Sequence, residues 1–300
     1  MTIDMHVHLA DKRIYSDTWL KHVRNSISDE IKKTMNMHAG SEIIDYYLNN
    51  ALADYDCSKL IAQMDEAGID KSTLLLIDFD DTDSMDPEPV IQIHYQALNA
   101  YKDRFNVFAG VAPRRGEKGI RLFKRCIHEY GFSGVKLYPP CGYEIDDPGL
   151  YPYYEICNHY RLPVLIHIGP SWPGMKSVFN YPEAILKVSK EFPRTPFILG
   201  HAALLHYESS RNLPLLRDNI YLETSGYRKI LTDRKLIEQR LEKLFKDCPE
   251  KVIYGSDYPM FGPPGREIMF LKNMGVLNKE QLDLLFYKNA MRIFSMGMKE

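Results

Sequence analysis

The chain has 300 residues, 45% of them hydrophobic, with 38 Lys plus Arg against 40 Asp plus Glu. That near-neutral balance, with no basic run longer than "KK", offers no field to a polyanion and argues against a nucleic-acid partner. No apolar run approaches the roughly 20 residues that span a bilayer, so no membrane partner is expected, and five scattered cysteines without a C-x-x-C pair read as reduced thiols of a cytoplasmic protein that is not exported.

The first stretch, "TIDMHVHL", reads as a strand carrying His6 and His8 one residue apart. Residues i and i+2 of a strand share a face, so both imidazoles aim at one place. The polar, partly helical passage 10–54 is too long for an ordinary βα turn and is expected to form a lid or pocket wall. Beyond it, helical periodicity at 58–69 precedes the strand "STLLLID" (72–78), and 88–101 precedes "NVFAGVAP" (106–113). The alternation continues with 119–131 and "SGVKLYP" (133–139), 151–160 and "PVLIHIG" (163–169), 181–192 and "PFILGHA" (196–202). "IYLETSG" (220–226), a helix at 234–245, "KVIYGSD" (251–257) and closing helices over 276–296 complete the chain. Gly68, Gly131 and Pro163 punctuate helix ends.

Eight strands alternating with helices, and apolar on both faces, predict a parallel sheet covered by helices. The fold class is α/β, a (β/α)8 TIM barrel with a long helical insertion after the first strand, in a single domain over 1–300. No G-x-G-x-x-G follows the first strand, which disfavours an open dinucleotide-binding sheet.

In a barrel, active-site side chains project from the C-terminal ends of the strands. Here the first strand ends in His6 and His8, the fourth in Lys136, the fifth in His167, the sixth in His201 and the eighth in Asp257. Closure sets the eighth strand beside the first, so Asp257 is expected next to the histidine pair. Taken singly, each histidine is as readily a hydrogen-bonded core residue and Asp257 a turn cap. Jointly, imidazoles and a carboxylate at equivalent depth suit a divalent cation, Zn2+ first, with Mn2+, Fe2+ or Ni2+ as alternatives.

"DMHVHL", "GVKLYPP", "YPEAILKVSKEFPRTPFILGHA", "YGSDYP" and "KNAMRIF" resemble the amidohydrolase superfamily, in particular its amidohydrolase-2 branch of metal-dependent barrel hydrolases. That branch also contains decarboxylases related to aminocarboxymuconate semialdehyde decarboxylase. The resemblance spans nearly the whole chain and is weakest over 10–54 and 203–219. It implies metal ligands at His6, His8, His167 and Asp257, with His201 near the metal-bound water or the substrate. One ion is expected rather than two; a carbamylated Lys136 would bridge two. The expected activity is hydrolysis of an amide, lactone or ester carbonyl in a small-molecule substrate by metal-activated water. Asp257 would carry the proton and His201 would orient the water or polarise the carbonyl. The alternative is a non-oxidative decarboxylase of the same superfamily. A nuclease or phosphoesterase is disfavoured because related nucleases carry glutamate in the region of Lys136, and a scaffold without catalysis would need a blocked mouth.

Lys136 is read as an ammonium that binds a substrate carboxylate rather than one paired to a neighbouring acid, and Tyr138, on the same face, shares its pocket. Arg114 and Arg115 read as solvated loop residues rather than anion readers. Glu223 and Ser225 share a face of the seventh strand opposite Thr224, and the pattern leaves open which face looks inward. His22, His38, His94, His128 and His159 read as surface residues, as does His206, although it stands where it could line the pocket. The aromatic "YPYYEICNHY" is expected to pack a helix on the barrel. Specificity falls to loops 10–54, 139–150, 170–180, 203–215 and 226–233, and a homodimer is the default assembly.

Overall fold

The computed structural model describes residues 1–36, 40–80, 85–176, 182–201, 204 and 206–297. His38, expected at the surface, and residues 177–180 of the expected specificity loop lie outside the described residues. Strands β1 (Ile3–Val7), β2 (Lys71–Leu75), β3 (Phe105–Gly110), β4 (Gly134–Leu137), β5 (Val164–His167), β6 (Phe197–Gly200), β7 (Ile220–Glu223) and β8 (Val252–Ile253) form one sheet in that order. Every neighbouring pair runs parallel.

The regular part of β8 is two residues long, shorter than the expected 251–257. Beyond it the chain stays beside β1 without a regular ladder. Met5 N donates to the Tyr254 carbonyl at 3.1 Å, Asp257 N to that of His6 at 2.8 Å, and His8 N to that of Tyr258 at 2.7 Å. The buried Asp4 carboxylate adds a side-chain clasp, accepting from His6 N at 3.1 Å and Ser256 N at 3.0 Å. The barrel is thereby drawn closed next to the site.

Helices α1 (Asp17–Met35) and α2 (Ser41–Ala51) fill the long passage after β1, and α3 (Ser58–Ala67) leads into β2. The Ser16 hydroxyl starts α1 by accepting from Trp19 N at 3.1 Å, and Gly68, at φ +67°, ends α3. Helices α4 (Pro87–Ala100), α5 (Gly116–His128), α6 (Tyr151–Tyr160) and α7 (Pro182–Glu191) occupy the next intervals. The turns α8 (Tyr207–Ser210), α9 (Leu213–Leu216) and α10 (Tyr227–Ile230) then flank β7, followed by α11 (Arg234–Asp247). After β8 come α12 (Pro264–Asn273), α13 (Lys279–Asp283) and α14 (Asn289–Gly297). Single turns such as α8 to α10 carry no 3.6-residue period, which is why the sequence does not announce them. No helix among the described residues is long and apolar enough to cross a membrane.

Register decides what faces inward. Lys136 pairs with Leu165, Leu165 with Ile198 and Ile198 with Tyr221, so these four share one side of the sheet. Leu165, Ile198 and Tyr221 join Ile3, Met5, Leu75, Phe108 and Ile253 in an inner core into which Ala290 and Ile293 of α14 pack. Two residues further along, the row His167, Gly200, Glu223 points the same way, onto the roof of that core. The expected packing role of α6 is met by Tyr153, Tyr154 and Cys157, which are buried. His94 corrects the expectation of a surface histidine. It is buried in α4 with Nδ1 donating to the Val90 carbonyl at 2.8 Å, and that local bond lets the ring enter the core.

Truncating Leu165 to alanine, in the middle of the inner row, is expected to cost about 2–5 kcal/mol of stability in urea unfolding at an unchanged m value. A loss below about 1 kcal/mol would mean that this row is not the packed layer its register indicates.

Candidate active site

β1 brings His6 and His8, β5 ends in His167, His201 follows β6 directly, and Asp257 stands at the end of the segment that closes the barrel. His201 and Asp257 both take left-handed backbone conformations, at φ +56° and +55°. Such conformations cost an L-residue about 1–2 kcal/mol and turn its side chain off the strand direction. Both residues thereby reach the mouth. Asp257 Oδ1 lies 3.5 Å from His6 Nε2 and 3.5 Å from His8 Nε2, and its Oδ2 lies 3.7 Å from His201 Nε2. The His167 ring stands 4.9 Å from the His201 ring, and its Nε2 is buried without a hydrogen-bond partner. Gly255 makes the approach possible: a Cβ there would fall 2.3 Å from Glu223 Oε1 and 2.6 Å from His6 Cβ.

The far sides of the rings are anchored. His8 Nδ1 lies 2.8 Å from the Leu75 carbonyl, and His167 bonds the Pro170 backbone, whose only polar group is its carbonyl. A carbonyl can only accept, so these rings carry their proton on Nδ1 and present an Nε2 lone pair to the mouth. His6 Nδ1 lies 2.7 Å from Glu223 Oε2, and His201 Nδ1 lies 2.7 Å from Ser225 Oγ. Glu223 and Ser225 therefore face inward, resolving what the strand pattern left open.

A carboxylate facing imidazole lone pairs at these distances sets acceptor against acceptor, and a cation between them would relieve the opposition. The nitrogen and oxygen donors, the orphaned His167 Nε2 and the fixed tautomers all fit a divalent metal ion. The donor atoms of His6, His8 and Asp257 lie within 4.8 Å of one another, as do those of His6, His201 and Glu223. The second group suits a metal less well, because Glu223 is already used by His6 Nδ1, Ser225 N and Ser225 Oγ.

Burial governs the protonation states. It pushes the Asp257 carboxyl well above the usual range, with the Lys136 charge pulling it back, and raises Asp4 to about 7 and Glu223 to about 8. Burial also lowers His201 to about 3, and holds His6, His8 and His167 well below the ordinary imidazole range. The imidazoles are thus kept neutral and available as ligands.

A cavity of about 260 Å³ opens above His8, His167, His201 and Asp257. Its walls are Tyr15 and Trp19 of the passage after β1, Ile77, Tyr138, Trp172, Ile230, Met260 and Phe261. The chain's two tryptophans meet here edge to face, 6.0 Å apart, and Tyr15 stacks on Trp19 at 4.5 Å. Tyr138 lines the cavity, its ring 4.9 Å from that of His167. Lys136 is placed differently from expectation: it is buried behind His6, Nζ 3.4 Å from Nε2, and is not part of the cavity wall. His206 also lies off the wall, at the start of α8. Arg115 is no solvated loop residue, since it binds Asp78 at 2.7 Å and the Met85 carbonyl at 2.8 Å, and Arg114 pairs with Asp80 at 2.8 Å. Behind Phe261, Arg228 donates to the Phe261 carbonyl at 3.0 Å and to buried Glu267 at 3.3 Å, bracing the wall. Sequence reasoning missed the aromatic wall, although both tryptophans falling within the expected specificity loops was a usable signal.

A parallel barrel whose mouth gathers neutral imidazoles around a carboxylate has the layout of a barrel enzyme, with donors that fit a metal ion. Residues 3–296 match the model of the family Amidohydro_2, amidohydrolase, and the chain belongs to that family. In three dimensions it is similar to 5-carboxyvanillate decarboxylase from Novosphingobium aromaticivorans with bound manganese, at 19% identity over 98% of this chain and 97% of that one, TM-score 0.72. It is similar to a dihydroxybenzoic acid decarboxylase from a Polaromonas species with bound manganese, at 14% identity over 99% and 98%, TM-score 0.68. It is likewise similar to 4-oxalomesaconate hydratase from Rhodopseudomonas palustris, at 18% identity over 99% and 96%, TM-score 0.63. At these identities the likeness is one of fold. No curated protein matches the sequence.

The buried groups give the metal-free protein a signed pH dependence. Asp4 and Glu267, at about 7, and Glu223, at about 8, hold protons that their unfolded counterparts have already lost, so folding binds protons near neutrality. The buried neutral imidazoles oppose this through the titration of the unfolded chain's histidines, which is half complete at about 6.5 and fades above about 7, and the buried Lys136, lowered to about 8, opposes it at the upper end. The melting temperature in a chelator is therefore expected to fall as pH rises from about 7 to 8. A flat or rising melting temperature over that window would contradict the burial of these carboxyls.

Proposed function

We propose that this chain is a non-oxidative decarboxylase of a small aromatic carboxylic acid, working with one divalent cation held by His6, His8, His167 and Asp257. The observation that carries the reading is the pairing of an acid and base, Asp257 and His201, with a cavity whose walls are mostly flat and apolar. Manganese in two of the similar structures supports Mn2+ beside Zn2+, and the nitrogen-rich donor set serves either. When bound, the cation would supply Lewis-acid pull on substrate oxygens next to the carbon that changes.

Loss of carbon dioxide from a carboxylate needs one proton and no water. The C–C bond breaks, its electron pair stays on the ring carbon, and a proton must arrive there. Asp257 is suited to hold that proton at Oδ2, the oxygen turned toward His201 Nε2 at 3.7 Å, because Oδ1 is the oxygen that faces the ligand imidazoles of His6 and His8. His201 keeps Nε2 unprotonated and can take the proton from Asp257 or return it. Trp19, Trp172, Met260 and Phe261 would bury the ring and keep bulk water from the reacting carbon. Lys136, behind His6, adds a positive charge below the substrate rather than a direct clamp on its carboxylate.

Hydrolysis of an amide, lactone or ester, the first expectation from sequence, draws on the same donors. The decarboxylases among the similar structures support the lyase reading at least as strongly, and the apolar walls favour it. A panel of hydroxylated benzoic and phthalic acids, incubated with cation-loaded protein in deuterium oxide, is expected to release carbon dioxide and place one deuteron on the vacated carbon. Product that instead gains oxygen-18 from labelled water would establish hydrolysis or hydration and overturn the proposal. Asp257→Asn should leave a folded protein with turnover reduced roughly 10^2–10^4-fold; unchanged turnover would remove Asp257 from the proton path.

A further inference from the structure

We propose that Glu223 and Ser225 act as one positioning relay that fixes the ring tautomers of His6 and His201 together, holding both Nε2 lone pairs toward Asp257. The relay is a continuous line of buried hydrogen bonds. His201 Nδ1 lies 2.7 Å from Ser225 Oγ, Ser225 Oγ lies 2.8 Å from Glu223 Oε2, and that oxygen lies 2.7 Å from His6 Nδ1.

Only one assignment of protons satisfies every partner. His201 Nδ1 also faces the Ser225 carbonyl at 3.3 Å, and a carbonyl has no proton to give, so Nδ1 must carry the hydrogen. Ser225 Oγ accepts that hydrogen and has its own single proton left for Glu223. At the other end, the Lys136 ammonium is a pure donor 3.4 Å from His6 Nε2, so Nε2 holds a lone pair and the His6 proton sits on Nδ1, toward Glu223. Glu223 Oε2 then receives donors from His6 and from Ser225 Oγ, and Oε1 one from Ser225 N; burial raises this carboxyl, and the assignment requires only that Oε2 itself carries no proton. Reversing either ring sets lone pair against lone pair at one end of the line.

The two ends serve different tasks. His6 is a proposed cation ligand, while His201 faces the proposed proton carrier, so a shared relay couples grip on the ion to readiness for proton transfer. Ser225 is the divider: without its hydroxyl, His6 keeps Glu223 while His201 loses the shorter of its two Nδ1 bonds and keeps only the 3.3 Å contact to the Ser225 carbonyl. This inference deepens the proposed reading of the site, but its tautomer assignment stands on distances that need neither cation nor substrate.

The test is made on full-length metal-free protein labelled with nitrogen-15 at histidine, by long-range proton–nitrogen correlation at neutral pH. Wild type is expected to show His6 and His201 with protonated Nδ1 and bare Nε2. In Ser225→Ala, where only the 3.3 Å contact to the backbone carbonyl holds Nδ1, the His201 signal should shift to a mixture of the two tautomers while His6 stays. In Glu223→Ala both should move and Mn2+ affinity by calorimetry should fall roughly 10–100-fold. Glu223→Gln, whose amide oxygen still accepts from His6 although its NH2 then opposes Ser225 N, should keep the His6 tautomer and lose less affinity than the alanine variant, and it carries the test if the alanine variant does not fold. Nε2-protonated His201 in wild type, or a Ser225→Ala spectrum identical to wild type, would overturn the relay. Equal Mn2+ losses in Ser225→Ala and Glu223→Ala would overturn the division of labour. A wild-type protein with the expected tautomers but no Mn2+ binding would count against the proposed function while leaving the relay standing.

Discussion

The arrangement around Asp257 is an electrostatic opposition that protein atoms settle only in part, through the Lys136 ammonium behind His6. Its carboxylate faces the lone-pair nitrogens of His6 and His8 at 3.5 Å, inside a barrel mouth from which solvent is largely withdrawn. Buried polar atoms are ordinarily paired, and acceptors turned on one another in a low-dielectric interior are unfavourable. Burial raises the carboxyl, and a proton held there relieves the opposition in part. A divalent cation relieves it fully and uses every lone pair at once. Much of the surrounding structure can be read as what is needed to hold that opposition in place.

The barrel supplies rigidity first. Ile3 and Met5 of β1 face the inner core, a register shift between Asp4 and Val7 changes the phase, and His6 and His8, two residues apart, then share a face above the inner row of Leu165, Ile198 and Tyr221. Close approach of so many rings requires missing side chains, and Gly255 provides that room beside His6 and Glu223. The left-handed turns at His201 and Asp257 are unfavourable locally, and they persist because β6 on one side and the Asp4 clasp on the other fix the chain around them. Carbonyls of Leu75 and Pro170 then orient two rings from behind, and Glu223 with Ser225 the other two.

The fold and the heart of the site were legible because they follow from short periods. The alternation in "DMHVHL" placed two imidazoles on one face, and counting eight βα units set Asp257 beside them across a closed barrel. What stayed hidden depends on contacts between distant segments. β8 is short because Asp4 and backbone bonds to β1 replace its ladder, something no local propensity reports. The inward face of β7 is set by register with β6, so Glu223 could not be assigned from alternation alone. Lys136 shares the inner face as its strand position implied, yet depth along the barrel put it behind His6 rather than on the cavity wall. The aromatic wall arises from α1 and the loop after β5 folding over the mouth, a long-range event that leaves only two tryptophans as its trace.

Anomalous diffraction from crystals grown with Mn2+, recorded on either side of the manganese absorption edge, bears most directly on the claim that this opposition exists to be bridged by a cation. The account predicts a single peak per chain within bonding distance of His6 Nε2, His8 Nε2, His167 Nε2 and an Asp257 oxygen. Density showing no ion there at saturating Mn2+, or an ion bound through Glu223 with Asp257 left uncoordinated, would contradict it.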